Sequence, residues 1–293
     1  MDHRSEIREF LTSRRARITP DQAGLPSYGA RRVPGLRRSE AAQLAGVSVE
    51  YYARLERGNL AGVSDTVLDA LARALRLDDA ERSHLHDLAR AAGTSPRRRR
   101  KPVAPQGVRP NVQRLLDTMT DTPAAVINGR TDVLASNALG RALFAPLHDS
   151  AWQPANHARF IYLDARSHTF WDNWDHAADD AVALLHAHAG RNPFDPDLTA
   201  LIGELSTRST DFRTRWARHD VRRHTTGVKH LRHPAIGPLH LTFEAMALVA
   251  DEDLTLLAFG AEPGTPSEDG LRLLATWAAT HDQERAVPTA DET

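Results

Sequence analysis

The chain has 293 residues, 41% of them hydrophobic and 26% charged, with a formal net charge of −1 and no cysteine. Without cysteine, disulfides, thiolate metal sites and cysteine nucleophiles are excluded, and no run approaches the ~20 apolar residues that span a bilayer. The small net charge hides a split: residues 1–101 carry 20 Lys+Arg against 13 Asp+Glu, and residues 102–293 carry 17 against 25.

A basic first third joined to an acidic remainder predicts that only the first third meets a polyanion. Residues 3–17 put Ile7, Phe10 and Leu11 at helical spacing, with Ile18 just beyond, so an amphipathic helix is expected there. Arg14, Arg15 and Arg17 crowd its last turn, where cations suit the negative end of the helix dipole and are also placed to touch a phosphate. This charged start resembles no signal peptide, and a cytoplasmic location is expected. Residues 19–36, broken by Pro20, Gly24, Pro26, Gly29, Pro34 and Gly35, read as a loop. Arg31 and Arg32 lie on it as a candidate basic arm.

Leu36–Gly58 reads as two short helices around a tight break. Ala41, Ala42 and Ala45 give the first a small-residue face, and Tyr52 and Leu55 are the inward pair of the second. Gly46 sits where a helix stops and turns, a place that favours positive φ, and Ser48 follows as a natural N-cap. Small residues let the two helices cross closely at a steep angle, the helix-turn-helix geometry that offers the second helix to the DNA major groove. Val49, Glu50, Ala53 and Arg54 fall on its outward arc and are the candidate base-reading residues. Val49 suits a thymine methyl, Glu50 a cytosine amino group, and Arg54 two hydrogen bonds to a guanine. An intramolecular or helix-dipole role is the alternative for Glu50. Arg37, Arg38, Ser48, Tyr51, Arg57 and Asn59 flank the helix as candidate phosphate contacts. A helix capped by Ser64 or Asp65 and another over residues 79–92 complete a mainly α, five-helix, repressor-like head over residues 1–93.

The run VPGLRRSEAAQLAGVSVEYYARLERGN, followed by SDTVLDALARALRLDDAERSHLHDLA, resembles helix-turn-helix regulators of the xenobiotic-response-element (XRE) type. More narrowly, it is similar to the actinobacterial type with an MmyB-like ligand-binding domain at the C-terminus. Residues 94–110 follow as a basic, Pro-rich linker in which Arg97–Lys101 repels itself into an extended form. Its alternatives are additional phosphate contact and a solvated hinge.

From residue 111 the composition turns acidic and aromatic, and residues 111–283 are expected to form one PAS-like α+β domain with an antiparallel sheet. Val112, Leu115, Leu116 and Met119 share a helical face. Ala124–Ile127 and Asp132–Ser136 are short strands joined at Gly129-Arg130, and Asn137–Phe144 is an Asn-capped helix. Residues 157–189 and 195–217 are mostly helical. Val228–Arg232, Leu239–Leu248 and Leu254–Ala261 read as an antiparallel meander, and Ser267–Thr280 as a last helix before a disordered tail at 284–293. VRPNVQRLLDTMTDTPAAVINGRTDVLASNALGRALF, WARHDVRRHTTGVKHLRHPAIGPL and AEPGTPSEDGLRLLA resemble the MmyB-like domain. The family commonly has Trp before the Asn of its NAL motif, where this chain has Ser136, a change that reshapes any cavity there.

An apolar pocket with a few polar anchors is the usual small-molecule site. Asn137, Phe144, Trp171, Trp174, Arg213, Trp216, Phe243 and Phe259 are the candidate ligand-binding residues, with Arg222 and Arg223 as further carboxylate anchors. The resemblance implies a hydrophobic ligand such as a fatty acid or an aromatic metabolite. Of the histidines, His186 and His188 are two apart and point to different helix faces. His219, His224, His230 and His233 match no common zinc spacing, so no metal and no cofactor is expected. No GxSxG, Walker, dinucleotide-binding or HExxH pattern appears, so no catalytic residues and no enzyme are expected. The expectation is therefore a ligand-responsive, sequence-specific regulator that binds double-stranded DNA as a homodimer, without membrane attachment. The alternative is a DNA-bound adaptor whose second domain only dimerises or recruits a partner.

Overall fold

The computed structural model describes residues 3–26, 33, 35–93, 107–220, 225–251 and 253–286. Arg31, Arg32, the Arg97–Lys101 run, Arg222 and Arg223 lie outside them.

In chain order the elements begin with α1 (His3–Arg17), α2 (Arg38–Leu44), α3 (Val49–Glu56), α4 (Asp65–Ala74) and α5 (Asp79–Ala92). Next come α6 (Pro110–Thr118), β1 (Ala124–Asn128), β2 (Val133–Ser136), α7 (Ala138–Leu143) and α8 (Ala145–His148). Then follow α9 (His157–Leu163), α10 (Arg166–Phe170), α11 (Trp174–Arg191), α12 (Pro196–Arg208) and α13 (Thr210–Trp216). The chain closes with β3 (Thr226–His233), β4 (Gly237–Ala247), β5 (Leu254–Gly260) and α14 (Pro266–Ala286). No helix among the described residues is long and apolar enough to cross a membrane. The expected mainly α head and α+β second domain with an antiparallel sheet are both present.

Two compact units result: Met1–Lys101 together with Val182–Arg223, and Pro102–Ala181 together with His224–Thr293. The expected division into 1–93, 94–110 and 111–283 is contiguous, whereas here the second half of α11, α12 and α13 belongs with the head. Leu198, Leu201, Leu205 and Phe212 give those helices an apolar face, but amphipathicity does not specify which surface that face is buried against. At the other end α14 continues to Ala286, so the tail expected from residue 284 begins as helix.

In the first unit Ile7, Phe10 and Leu11 of α1 meet Ala41, Ala42, Tyr52, Leu55, Leu71, Leu85 and Leu88 in one buried core. Gly46 ends α2 at φ +66°, and the Val47 amide reaches back to the Ala42 carbonyl at 3.0 Å, as the left-handed helix stop requires. Ser48 caps α3, accepting from the Tyr51 amide at 3.1 Å. Asp78 and Glu81 cap α5 reciprocally, each side chain accepting from the other's amide at 2.9 and 3.2 Å.

In the second unit the five strands are antiparallel in the order β2-β1-β5-β4-β3. The ends of the chain segment thus meet at mid-sheet, where β1 pairs with β5 from Ala124 opposite Ala258 to Asn128 opposite Leu254. α14 packs on α7 and β4. Asn137 stitches this region together. Its carbonyl accepts from the Gly140 and Ala124 amides at 2.7 and 3.0 Å, and its amide donates to the Met119 and Thr122 carbonyls at 2.6 and 2.7 Å.

Candidate DNA interface and ligand site

The helix expected to read DNA presents the expected face. Val49 is 42% exposed, Glu50 and Arg54 are exposed and Ala53 is half-buried, while Tyr52 and Leu55 are fully buried. The Arg54 guanidinium lies over the Tyr51 ring, 4.6 Å from its centroid, which restricts a long side chain that otherwise samples many rotamers. Arg37 and Arg57 are exposed beside it. Asn59 is half-buried and donates weakly to the Arg54 carbonyl at 3.4 Å.

Behind this face lies a buried carboxylate that the sequence reading missed. Glu56 ends α3 and is 1% exposed. Arg15 of α1 grips both of its oxygens at 2.9 and 3.0 Å, Thr12 donates at 3.2 Å, and Arg38 of α2 donates at 3.1 and 3.2 Å. Burial by itself raises the Glu56 carboxyl, but the hydrogen bonds and charge of Arg15 and Arg38 hold it below the ordinary carboxylate range. The signal was available: Glu56 stands four residues after Tyr52, on the inward face, and a buried carboxylate requires cations.

The same network reassigns several arginines. Arg38, a candidate phosphate contact, spends its guanidinium on Glu56 while remaining 57% exposed. Arg14 is buried against Glu81 at 2.8 Å and the Phe10 ring, and Arg17 pairs with Glu81 and Asp220. The last turn of α1 therefore holds the unit together. It offers little to a phosphate.

In the second unit Phe144, Trp171, Phe243 and Phe259, four of the candidate ligand residues, lie close together. Phe144 lies 5.1 Å from Phe259 and 6.4 Å from Trp171 between ring centroids, and Phe243 lies 6.2 Å from Phe259, its register partner on β5. Phe170 joins the cluster, 6.0 Å from Phe144. The Trp171 Nε1 is buried with no hydrogen-bond partner among the described residues. An open cleft of about 560 Å³ adjoins Phe170, lined also by Ala145, Pro146, Arg166, Arg232 and His233. Arg166 and Arg232 pair with Asp164 and Asp172 at 2.6 and 2.8 Å. His233 Nε2 donates to the Ala142 carbonyl at 3.0 Å, and its Nδ1 accepts from the Ala235 amide at 3.2 Å. Burial holds its pKa below the ordinary histidine value.

Lys229 was also missed. It lies over the Phe243 ring at 5.0 Å and pairs with Asp180 at 2.7 Å. Strand alternation puts it on the same face of β3 as the buried Leu231 and His233, a period visible in the sequence.

Four of the expected ligand residues stand elsewhere. Asn137 has its amide fully committed to backbone groups, as described above. Trp174 packs on Tyr162 and His168 and donates to the Ile161 carbonyl at 3.2 Å. Arg213 and Trp216 belong to the first unit: Arg213 is exposed and bonded to Ser206 and Thr210, and Trp216 stacks on His186. Sequence proximity to the sheet was the wrong guide for them. Ser136, where the family pattern has Trp, lies 3.5 Å from His148 Nε2.

The family model of the MmyB-like transcription regulator ligand binding domain matches residues 108–274, more than half of the chain. The chain belongs to that family. A helix-turn-helix domain model matches residues 6–85, from within α1 to the middle of α5. The MmyB-like chain thus joins a DNA-binding domain to a ligand-binding domain, and it is a transcription regulator. Among curated proteins none matches it.

Proposed function

We propose that this MmyB-like regulator reads its operator as a homodimer through Val49, Glu50, Ala53 and Arg54, and that a small hydrophobic ligand in the second unit modulates that binding. The observation that carries the ligand reading is the cluster of Phe144, Phe170, Trp171 and Phe259, of which Phe170 lines an open cleft. A carboxylate head in the cleft would share Arg166 and Arg232 with their partners Asp164 and Asp172, and Phe170 offers an apolar wall for the rest of the ligand. A fatty acid or an aromatic acid fits both demands. The ligand shifts DNA affinity only to the extent that it binds two arrangements of the protein unequally.

The test is selection of bound fragments from random DNA by the full chain, with and without a panel of fatty and aromatic acids. One enriched palindrome whose affinity changes at least about fivefold with one acid class, corresponding to about 1 kcal/mol of coupling, is the expected result. Phe170→Ala should then weaken the acid and leave the operator unchanged. Enrichment indifferent to every acid supports the adaptor role instead.

A further inference from the structure

Glu6 of α1, His186 of α11 and His219 just after α13 come from three distant parts of the sequence and meet in the first unit, each at most 3% exposed. Their ligating atoms all lie within 4.8 Å of one another. Glu6 Oε1 is 3.1 Å from His186 Nδ1 and 3.5 Å from His219 Nδ1. Oxygen and imidazole ligands at 2.0–2.2 Å around a tetrahedral centre stand roughly 3.3–3.6 Å apart, so little movement would enclose an ion.

The outer nitrogens decide how the rings are protonated. His186 Nε2 lies 3.0 Å from the Trp216 carbonyl, and His219 Nε2 lies 3.1 Å from a Glu9 carboxylate oxygen. Both partners only accept, so both Nε2 atoms carry hydrogen. Each Nδ1 then faces the Glu6 carboxylate, so either a second ring proton or a bound cation must lie between them. The outward arrangement, ring N–H to a carbonyl on one histidine and to a carboxylate on the other, is how metal-binding histidines are oriented. Glu6 Oε2 and His219 Nδ1 have no hydrogen-bond partner among the described residues, and Arg14 is already taken by Glu81 and the His219 carbonyl.

We propose that Glu6, His186 and His219 bind one divalent transition ion of the zinc class, with Glu9 and the Trp216 carbonyl orienting the two imidazoles. Two neutral imidazoles and one carboxylate are a ligand set for such an ion and a poor one for calcium or magnesium. A water molecule would supply the fourth ligand. The ion ties α1 of the DNA-binding head to a segment 180 residues away. Head stability then depends on metal supply.

Two measurements on the full chain test this. After chelator treatment, Co2+ is titrated in while its visible absorption is followed. One equivalent with the intense spectrum of a four-coordinate ion, displaced by Zn2+, is expected. His186→Gln combined with His219→Gln should abolish it, Glu9→Gln should weaken affinity by about 10–100-fold, and His230→Ala combined with His240→Ala should change nothing. Because the buried double variant is at risk of misfolding, wild-type crystals grown with Zn2+ give an independent reading from anomalous scattering. A peak between Glu6, His186 and His219 supports the site. No Co2+ uptake by the folded wild-type chain, or a Zn2+ peak only on surface histidines, overturns it.

Discussion

Glu56 concentrates more of the head's cohesion than any exposed residue of α3. One carboxylate joins α1, α2 and α3 through Arg15, Thr12 and Arg38. Removing one member of a buried charge network leaves the others unpaired, so Glu56→Gln should destabilise the head by about 3 kcal/mol in urea unfolding. Its folded pKa is depressed, so its contribution is complete above the unfolded value of about 4.3 and is lost as pH falls through the folded value. Urea midpoints measured downward from pH 5 should fall for the wild type, and more shallowly for Glu56→Gln. For DNA, Arg54→Ala should cost about 1–3 kcal/mol at a single base pair, whereas Arg57→Ala should weaken all sequences alike and reduce the salt slope by about 1. Binding across single-base operator variants distinguishes the two. Arg38→Ala belongs to neither class: it should lower head stability as well as affinity, because its guanidinium is bonded to Glu56.

Elements whose burial pattern has a local cause were legible. The extent of α1, the Gly46 stop, the Ser48 cap and the Asn137 cap all follow from side chains acting within a few residues of their own backbone. All five strands were legible to within one or two residues at their boundaries, β3 and β4 with alternating burial and β1, β2 and β5 as short runs set off by turns. What Asn137 does beyond capping was not legible, because its other partners, Met119 and Thr122, lie in the turn before β1. That role has a testable sign. Asn137→Ala strands buried amide and carbonyl groups and should destabilise the second unit by about 3 kcal/mol. Differential scanning calorimetry should show it, with ligand affinity of the folded fraction unchanged. Gly140, one turn on, admits no Cβ: that atom would lie 2.4 Å from the Ala124 carbonyl. Gly140→Ala should therefore push α7 off β1 and lower the same transition.

At the scale of the whole chain, the helices within residues 182–223 were visible and their allegiance was not. An apolar stripe records that a helix is buried but carries no address, and neither Trp216 nor His186 announces that the two stack together beside Glu6 of α1. A fragment ending at residue 101 should accordingly melt at least about 10 °C below the first transition of the full chain, the shift expected for a loss of 2–3 kcal/mol in a domain of that size. Calorimetry on the two proteins checks it. The family match spans residues 108–274 and so includes the very helices that pack into the other unit. By descent that segment travels with the ligand domain; by packing it belongs to the DNA reader. A chain recombined between residues 93 and 107 with a foreign second half would therefore complete its DNA-binding unit with helices fitted to a different head, and should fold less stably than either parent.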